Sequence, residues 1–213
     1  MPITPKRLGL IVWLLENVDK EVSVLQASRE ARVLDYSATS NAFKDLTAAG
    51  YVRKTASKRY QVANATALIH QIALAQPFSL RKAVSFFLGG SMIEKMRKLN
   101  SIGSNPVFTL FAAAELLSPY VRTSSVHAYV AQMAVDSIKT KLIEIGARRA
   151  EGSEADTFLL PTNDEYLIRL SRKRNEFRIA PMGILIADLE SYGGLGQEQA
   201  VRVMDAWLSG HDQ

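Results

Sequence analysis

Ser37-Ala-Thr-Ser-Asn-Ala-Phe-Lys-Asp-Leu-Thr-Ala-Ala-Gly-Tyr-Val52 decides how the first third of this chain folds. It opens on small polar residues, sets Ala42, Phe43 and Leu46 on one side at helical spacing, and stops at Gly50, which suits the left-handed residue that closes a helix. The other side carries Ser37, Ser40, Asn41 and Lys44. Such a side can lie in a DNA major groove, where Asn pairs with adenine through two hydrogen bonds and Lys reaches guanine or a phosphate. Tyr51-Val52 opens a strand, and Arg53-Lys-Thr-Ala-Ser-Lys-Arg-Tyr60 continues with four cations and no acid. Arg53, Lys54, Lys58 and Arg59 are placed as a β-wing resting on phosphates would need them. Tyr60 is expected to pack under the wing rather than stack on a base.

Outward from this stretch, the spacing of Leu8, Ile11, Val12, Leu14 and Leu15 predicts a helix over 6–17, with Pro5 in its first turn. Val18 to Glu21 reads as a turn. Ser23 caps a second helix to about Arg32, and strands at 52–54 and 59–63 close a hairpin. Helix, helix, helix, Gly, strand, basic loop, strand is the order of a winged helix-turn-helix. A linking helix over 64–76 leads to Pro77, the expected boundary between a DNA-binding domain, 1–76, and a mixed α/β domain, 77–213, of antitoxin or regulatory role.

In the second part, 79–99 reads as helix, broken at Gly89-Gly90, and 100–106 as a polar loop. Residues 107–117 read as helix, 124–130 as strand and 135–145 as helix. Short strands are expected at 146–150, 157–161 and 177–180. The continuous apolar run Ile184–Leu189 reads as a buried strand, 193–196 as a loop, and Gln197–Leu208 as an amphipathic helix with Ala200, Val203, Met204 and Trp207 on one face. The fold class is therefore α+β.

Composition narrows the function. With 213 residues, 47% of them apolar and 22% charged, the chain can bury a core. It has no cysteine, which excludes disulfides and thiol catalysis, and its three histidines, His70, His127 and His211, are scattered. No apolar run is long enough to cross a membrane, and Leu8–Leu15 is too short for a signal peptide, so a cytoplasmic location without membrane contact is expected. The net charge of +5 is uneven: residues 1–75 hold 10 Lys and Arg against 6 Asp and Glu, and the rest 16 against 15. The positive excess sits with the DNA-binding elements.

Asp188 and Glu190, two apart on the expected strand, would face one side and could hold a metal. No Lys stands near them, and an Asp before a Gly-rich loop can simply cap a turn. Gly193-Gly-Leu-Gly196 lacks the spacing of a phosphate loop and reads as a helix cap. The basic clusters Arg169–Arg174 and Arg148-Arg149 fit a solvated surface, DNA or an acidic partner equally well.

The chain as a whole resembles the AbiEi-type antitoxins, the transcriptional regulators of bacterial type IV toxin–antitoxin systems. The likeness is carried by the N-terminal winged helix, by Val107-Phe-Thr-Leu-Phe-Ala-Ala-Ala-Glu-Leu-Leu117 with Val126-His-Ala-Tyr-Val130, and by the closing Ile186-Ala-Asp-Leu-Glu-Ser-Tyr-Gly-Gly-Leu-Gly-Gln-Glu-Gln-Ala200. It implies binding to double-stranded DNA at the operon's own promoter and neutralisation of a nucleotidyltransferase-like toxin, with no toxin-binding residue marked. The expectation is a DNA-binding transcriptional regulator that is not an enzyme and needs no metal or cofactor, with a homodimer left open. The alternatives are a DNA-targeted, metal-dependent nuclease using Asp188 and Glu190, and a repressor that senses a small molecule in its C-terminal domain.

Overall fold

Thr4 accepts a hydrogen bond from the backbone N–H of Arg7 and starts α1 (Pro5–Leu15), in which every residue from Leu8 to Leu15 is buried. The computed structural model describes residues 3–210 except Ser104, so His211 lies outside the described residues. Ser23 and Asp35 cap α2 (Val24–Ala31) and α3 (Tyr36–Ala48) by accepting from the N–H groups of Gln26 and Ala38. Gly50, at φ +77°, turns the chain into β1 (Val52–Lys54), which pairs antiparallel with β2 (Tyr60–Val62). Val22, just after the turn at 18–21, exchanges two 2.8 Å backbone hydrogen bonds with Tyr60, so the segment between α1 and α2 lies along the hairpin. Asn64 caps α4 (Ala65–Ala75).

A 3-10 turn at Phe78–Leu80 leads to β3 (Val84–Phe87) and α5 (Met92–Ser101), followed by β4 (Val107–Thr109) and α6 (Leu110–Ala114). Then come β5 (Val126–Ala131), α7 (Val135–Glu144), β6 (Arg148–Arg149), β7 (Thr157–Thr162), α8 (Glu165–Arg169), β8 (Arg172–Arg174) and β9 (Phe177–Ile179). Two helices, α9 (Met182–Tyr192) and α10 (Leu195–Ser209), finish the chain. One seven-stranded sheet runs β6-β3-β7-β5-β4-β9-β8. β5 and β7 are parallel over six residue pairs, with α7 in the crossover between them, and β4 and β9 are parallel. The other pairings are antiparallel. The fold is mixed α+β.

The structure corrects three expectations. Residues 84–87 form a strand rather than the middle of a helix, because Val84, Ser85 and Phe86 find backbone partners in β7 more than 70 residues away. Residues 107–109 are strand and only 110–114 are helix, with the switch made at Leu110, where φ is +51°. Ile184–Leu189 is helical, because α9 is packed on all sides and its sequence carries no polar stripe to reveal a period.

α9 is the helix on which the rest assembles. It packs against α1, α4, α6 and α10, and its buried residues join those of α1 and the sheet in one apolar cluster. Pro77 separates α4 from the 3-10 turn, while α1 and α4 both lie on α9. Gly193 (φ +82°) and Gly194 (φ +51°) end α9 and start α10, so the glycine loop is a cap, as its spacing suggested. Gly196 lets the two helices touch: a Cβ there would stand 2.5 Å from the Leu189 carbonyl oxygen. Gly196→Ala must push backbone apart, and a loss of about 1–3 kcal/mol is expected in urea unfolding. A variant as stable as the parent would show that the helices slide freely.

Candidate nucleic-acid interface

The residues singled out on α3 fall into two sets. Thr39, Ala42, Phe43 and Leu46 are buried, while Ser37, Asn41 and Lys44 are exposed and Ser40 is half-buried. Ser37, Asn41 and Lys44 succeed one another at spacings of four and three, which lines them up along one helix face. On the hairpin, Arg53, Lys54, Lys58 and Arg59 are all exposed. Arg53 donates to Gln61 (2.8 Å) and Arg59 to Gln26 (3.1 Å), both neutral, so neither charge is cancelled. Lys44, Lys54 and Lys58 have no acidic partner among the described residues. The acid next to Lys44 in the chain, Asp45, is held by Arg7 of α1, and Glu21 accepts from Ser57 at the hairpin tip. Tyr60 packs its ring 4.5 Å from that of Phe43, between hairpin and α3, as its position suggested.

Asp188 and Glu190 do not share a site. Two residues apart on a helix, they point in nearly opposite directions. Glu190 meets His70 of α4 near the surface. Asp188 is 1% exposed and caps no turn. Its Oδ1 accepts from Arg81 (2.8 Å), and its Oδ2 from Thr109 (2.7 Å) and Tyr129 (2.6 Å). The Arg81 guanidinium also lies over the Tyr129 ring, 5.1 Å from its centre. Burial, and then the adjacent Asp188 charge, push the Tyr129 phenol well above its ordinary value, so it stays a donor. Burial, the largest influence, works against the Arg81 charge, but Asp188 together with Tyr129, Tyr166 and Asp164 outweighs it and holds the guanidinium above its usual pKa. No Lys stands near Asp188 in the sequence; its cationic partner is an Arg 107 positions earlier. No local pattern signals a partner at that separation.

Arg81 and Tyr129 also reach the wall of a cleft of about 810 Å³ at the carboxyl ends of β5 and β7. A second pair, the buried Lys95 with the half-buried Asp156 (3.2 Å), holds the Gly89 turn, since Asp156 also accepts from the N–H groups of Leu88 and Gly89. Burial would raise the Asp156 carboxyl, but those hydrogen bonds outweigh it and keep its pKa below the ordinary value. His127, on β5, is buried, stacked on Phe158 at 4.5 Å and met edge-on by Phe78. Burial pushes its imidazole down to about 4.

The basic cluster 169–174 divides. Arg169 donates to the last carbonyl of α2, that of Ala31, and Arg172 pairs with Glu16 at the end of α1. Lys173 and Arg174 remain exposed. Arg148 pairs with Glu154 and covers the Phe87 ring. Among the described residues no group of three or more His, Asp or Glu converges as a metal site would require, and no helix is long and apolar enough to cross a membrane. No protein-family model, no curated protein and no solved structure matches this chain.

Proposed function

We propose that the protein is a DNA-binding transcriptional regulator whose N-terminal elements act as a winged helix-turn-helix. In this reading α3 enters the major groove with Ser37, Ser40, Asn41 and Lys44, while Arg53, Lys54, Lys58 and Arg59 of the hairpin hold phosphates. The observation that carries it is the alignment of Ser37, Asn41 and Lys44 on an exposed face beside hairpin cations that no acid among the described residues neutralises. The rung between Val22 and Tyr60 supports it, because it ties the hairpin to the segment between α1 and α2. The resemblance to the AbiEi-type antitoxins adds the finer reading: repression of its own promoter and neutralisation of a nucleotidyltransferase-like toxin. The nuclease alternative is not favoured, because the carboxylates of Asp188 and Glu190 face different ways and Asp188 already accepts three hydrogen bonds.

Titration of labelled duplex DNA at several salt concentrations tests this. Affinity should fall with salt at a log–log slope of about −0.9 per phosphate contact. Asn41→Ala should weaken the specific site by about 1–3 kcal/mol more than random DNA. Lys54→Ala combined with Lys58→Ala should weaken both alike and flatten the slope. Salt-independent binding, or an unchanged specificity ratio in Asn41→Ala, would remove α3 from the reading.

A further inference from the structure

We propose that the cleft at the carboxyl ends of β5 and β7 is a binding site for a small organic phosphate. Its place is the first argument. In sheets with a parallel strand–helix–strand unit, ligands collect where the strands end and the crossover helix begins. β5, α7 and β7 make such a unit, and the cleft takes in Tyr129 and Thr162 from the strand ends and Val135 from the start of α7.

Charge is the second argument. Arg81, Lys82 and Lys139 line the cleft, and Asp164 is the acid that faces them. Asp164 acts on Tyr166, whose phenol burial and then the Asp164 charge push up, and Lys139 pairs with the exposed Asp136. Lys82 is exposed and forms no ion pair among the described residues.

Arg81 is the third. Asp188 holds one of its terminal nitrogens and the Tyr129 ring lies beneath it, so the guanidinium is fixed in direction. Its Nε is buried without a partner and closed off from the cleft, so the donor left for a ligand is the terminal nitrogen that Asp188 does not hold. A guanidinium oriented from behind, with that nitrogen to spare, is suited to phosphate oxygens.

Size and lining extend the class beyond inorganic phosphate. About 810 Å³ is far more than a bare phosphate fills and lies in the range of organic ligand sites. Leu80, Val84, Leu160 and Pro161 supply apolar wall beside the cations. A phosphate on a ring or carbon skeleton uses both. This site stands apart from the DNA-binding reading: it is tested without DNA, and either can fail alone.

The experiment titrates the full chain with AMP and, separately, with inorganic phosphate, by calorimetry and thermal melting. AMP should bind saturably and raise the melting temperature, as a ligand selective for the native state does, and inorganic phosphate should bind more weakly. Lys82→Ala combined with Lys139→Ala should weaken AMP by about tenfold or more while leaving the unliganded melting temperature near that of the parent. Lys173→Ala combined with Arg174→Ala, on an edge strand of the sheet, should change nothing. The proposal is overturned by absence of AMP binding, by equal binding of AMP and phosphate, or by binding that survives loss of both lysines.

Discussion

Asp188→Ala is expected to lower the unfolding free energy by about 3–5 kcal/mol, because it strands the mostly buried Arg81 guanidinium without its counter-charge. It also takes the acceptor from the hydroxyls of Thr109 and Tyr129, both buried, where an unpaired polar group is costly. Asp188→Asn should be nearly as damaging, since an amide cannot accept from all three donors and its own N–H₂ would face one of them. If the charge pair is the cause, replacing both partners with apolar residues, Asp188→Leu with Arg81→Met, should recover much of the loss. Urea unfolding of the parent, the two single variants and the double variant measures this as a double-mutant cycle. A loss below about 1 kcal/mol in Asp188→Ala would mean that water already reaches the pair.

The second large effect is one of pH. The folded-state pKa of His127 is about 4 against an ordinary 6.5. Between those values the unfolded chain takes up a proton that the folded chain refuses. Stability is therefore fully present above about pH 6.5, falls as the pH drops through this window, and has lost its whole His127 contribution below about pH 4. The shift corresponds to about 3 kcal/mol. Asp156, whose carboxyl is held below its ordinary 3.8, acts at still lower pH and does not confuse the window. Unfolding midpoints of the parent and of His127→Phe, compared at pH 7 and pH 4.5, isolate the contribution: the parent should lose most of this amount and the variant should not. Parallel losses in both would place the acid sensitivity elsewhere.

The N-terminal elements were plain in the sequence because their signals are local. Ser23 and Asn64 each accept from an N–H three residues on and so mark the starts of α2 and α4, and Gly50 closes α3 at a single position. The long final helix and the strand β5 were legible for the same reason, since each alternates or repeats within its own length. The errors fall where burial is complete or pairing is remote. α9 is apolar all round from Met182 to Ala187 and buried to Leu189, so 3.6-residue and two-residue periods cannot be told apart in it. β3 and β4 are strands because of partners elsewhere in the chain. The exposed face of α3 was readable, since an amphipathic helix displays its polar side in its spacing. The Asp188 centre was not, because its donors lie 59, 79 and 107 positions away and nothing near Asp188 names them.

From Leu8 to Leu15, α1 has no face toward water, and this bears on how the chain is made. Leu8 to Leu15 leave the ribosome long before α9, residues 182–192, which is one of the walls they pack against. Until that stretch is synthesised, α1 must wait with part of its surface uncovered. The nascent chain therefore carries an adhesive segment while the whole of the sheet is being made, the condition under which holding chaperones bind growing polypeptides.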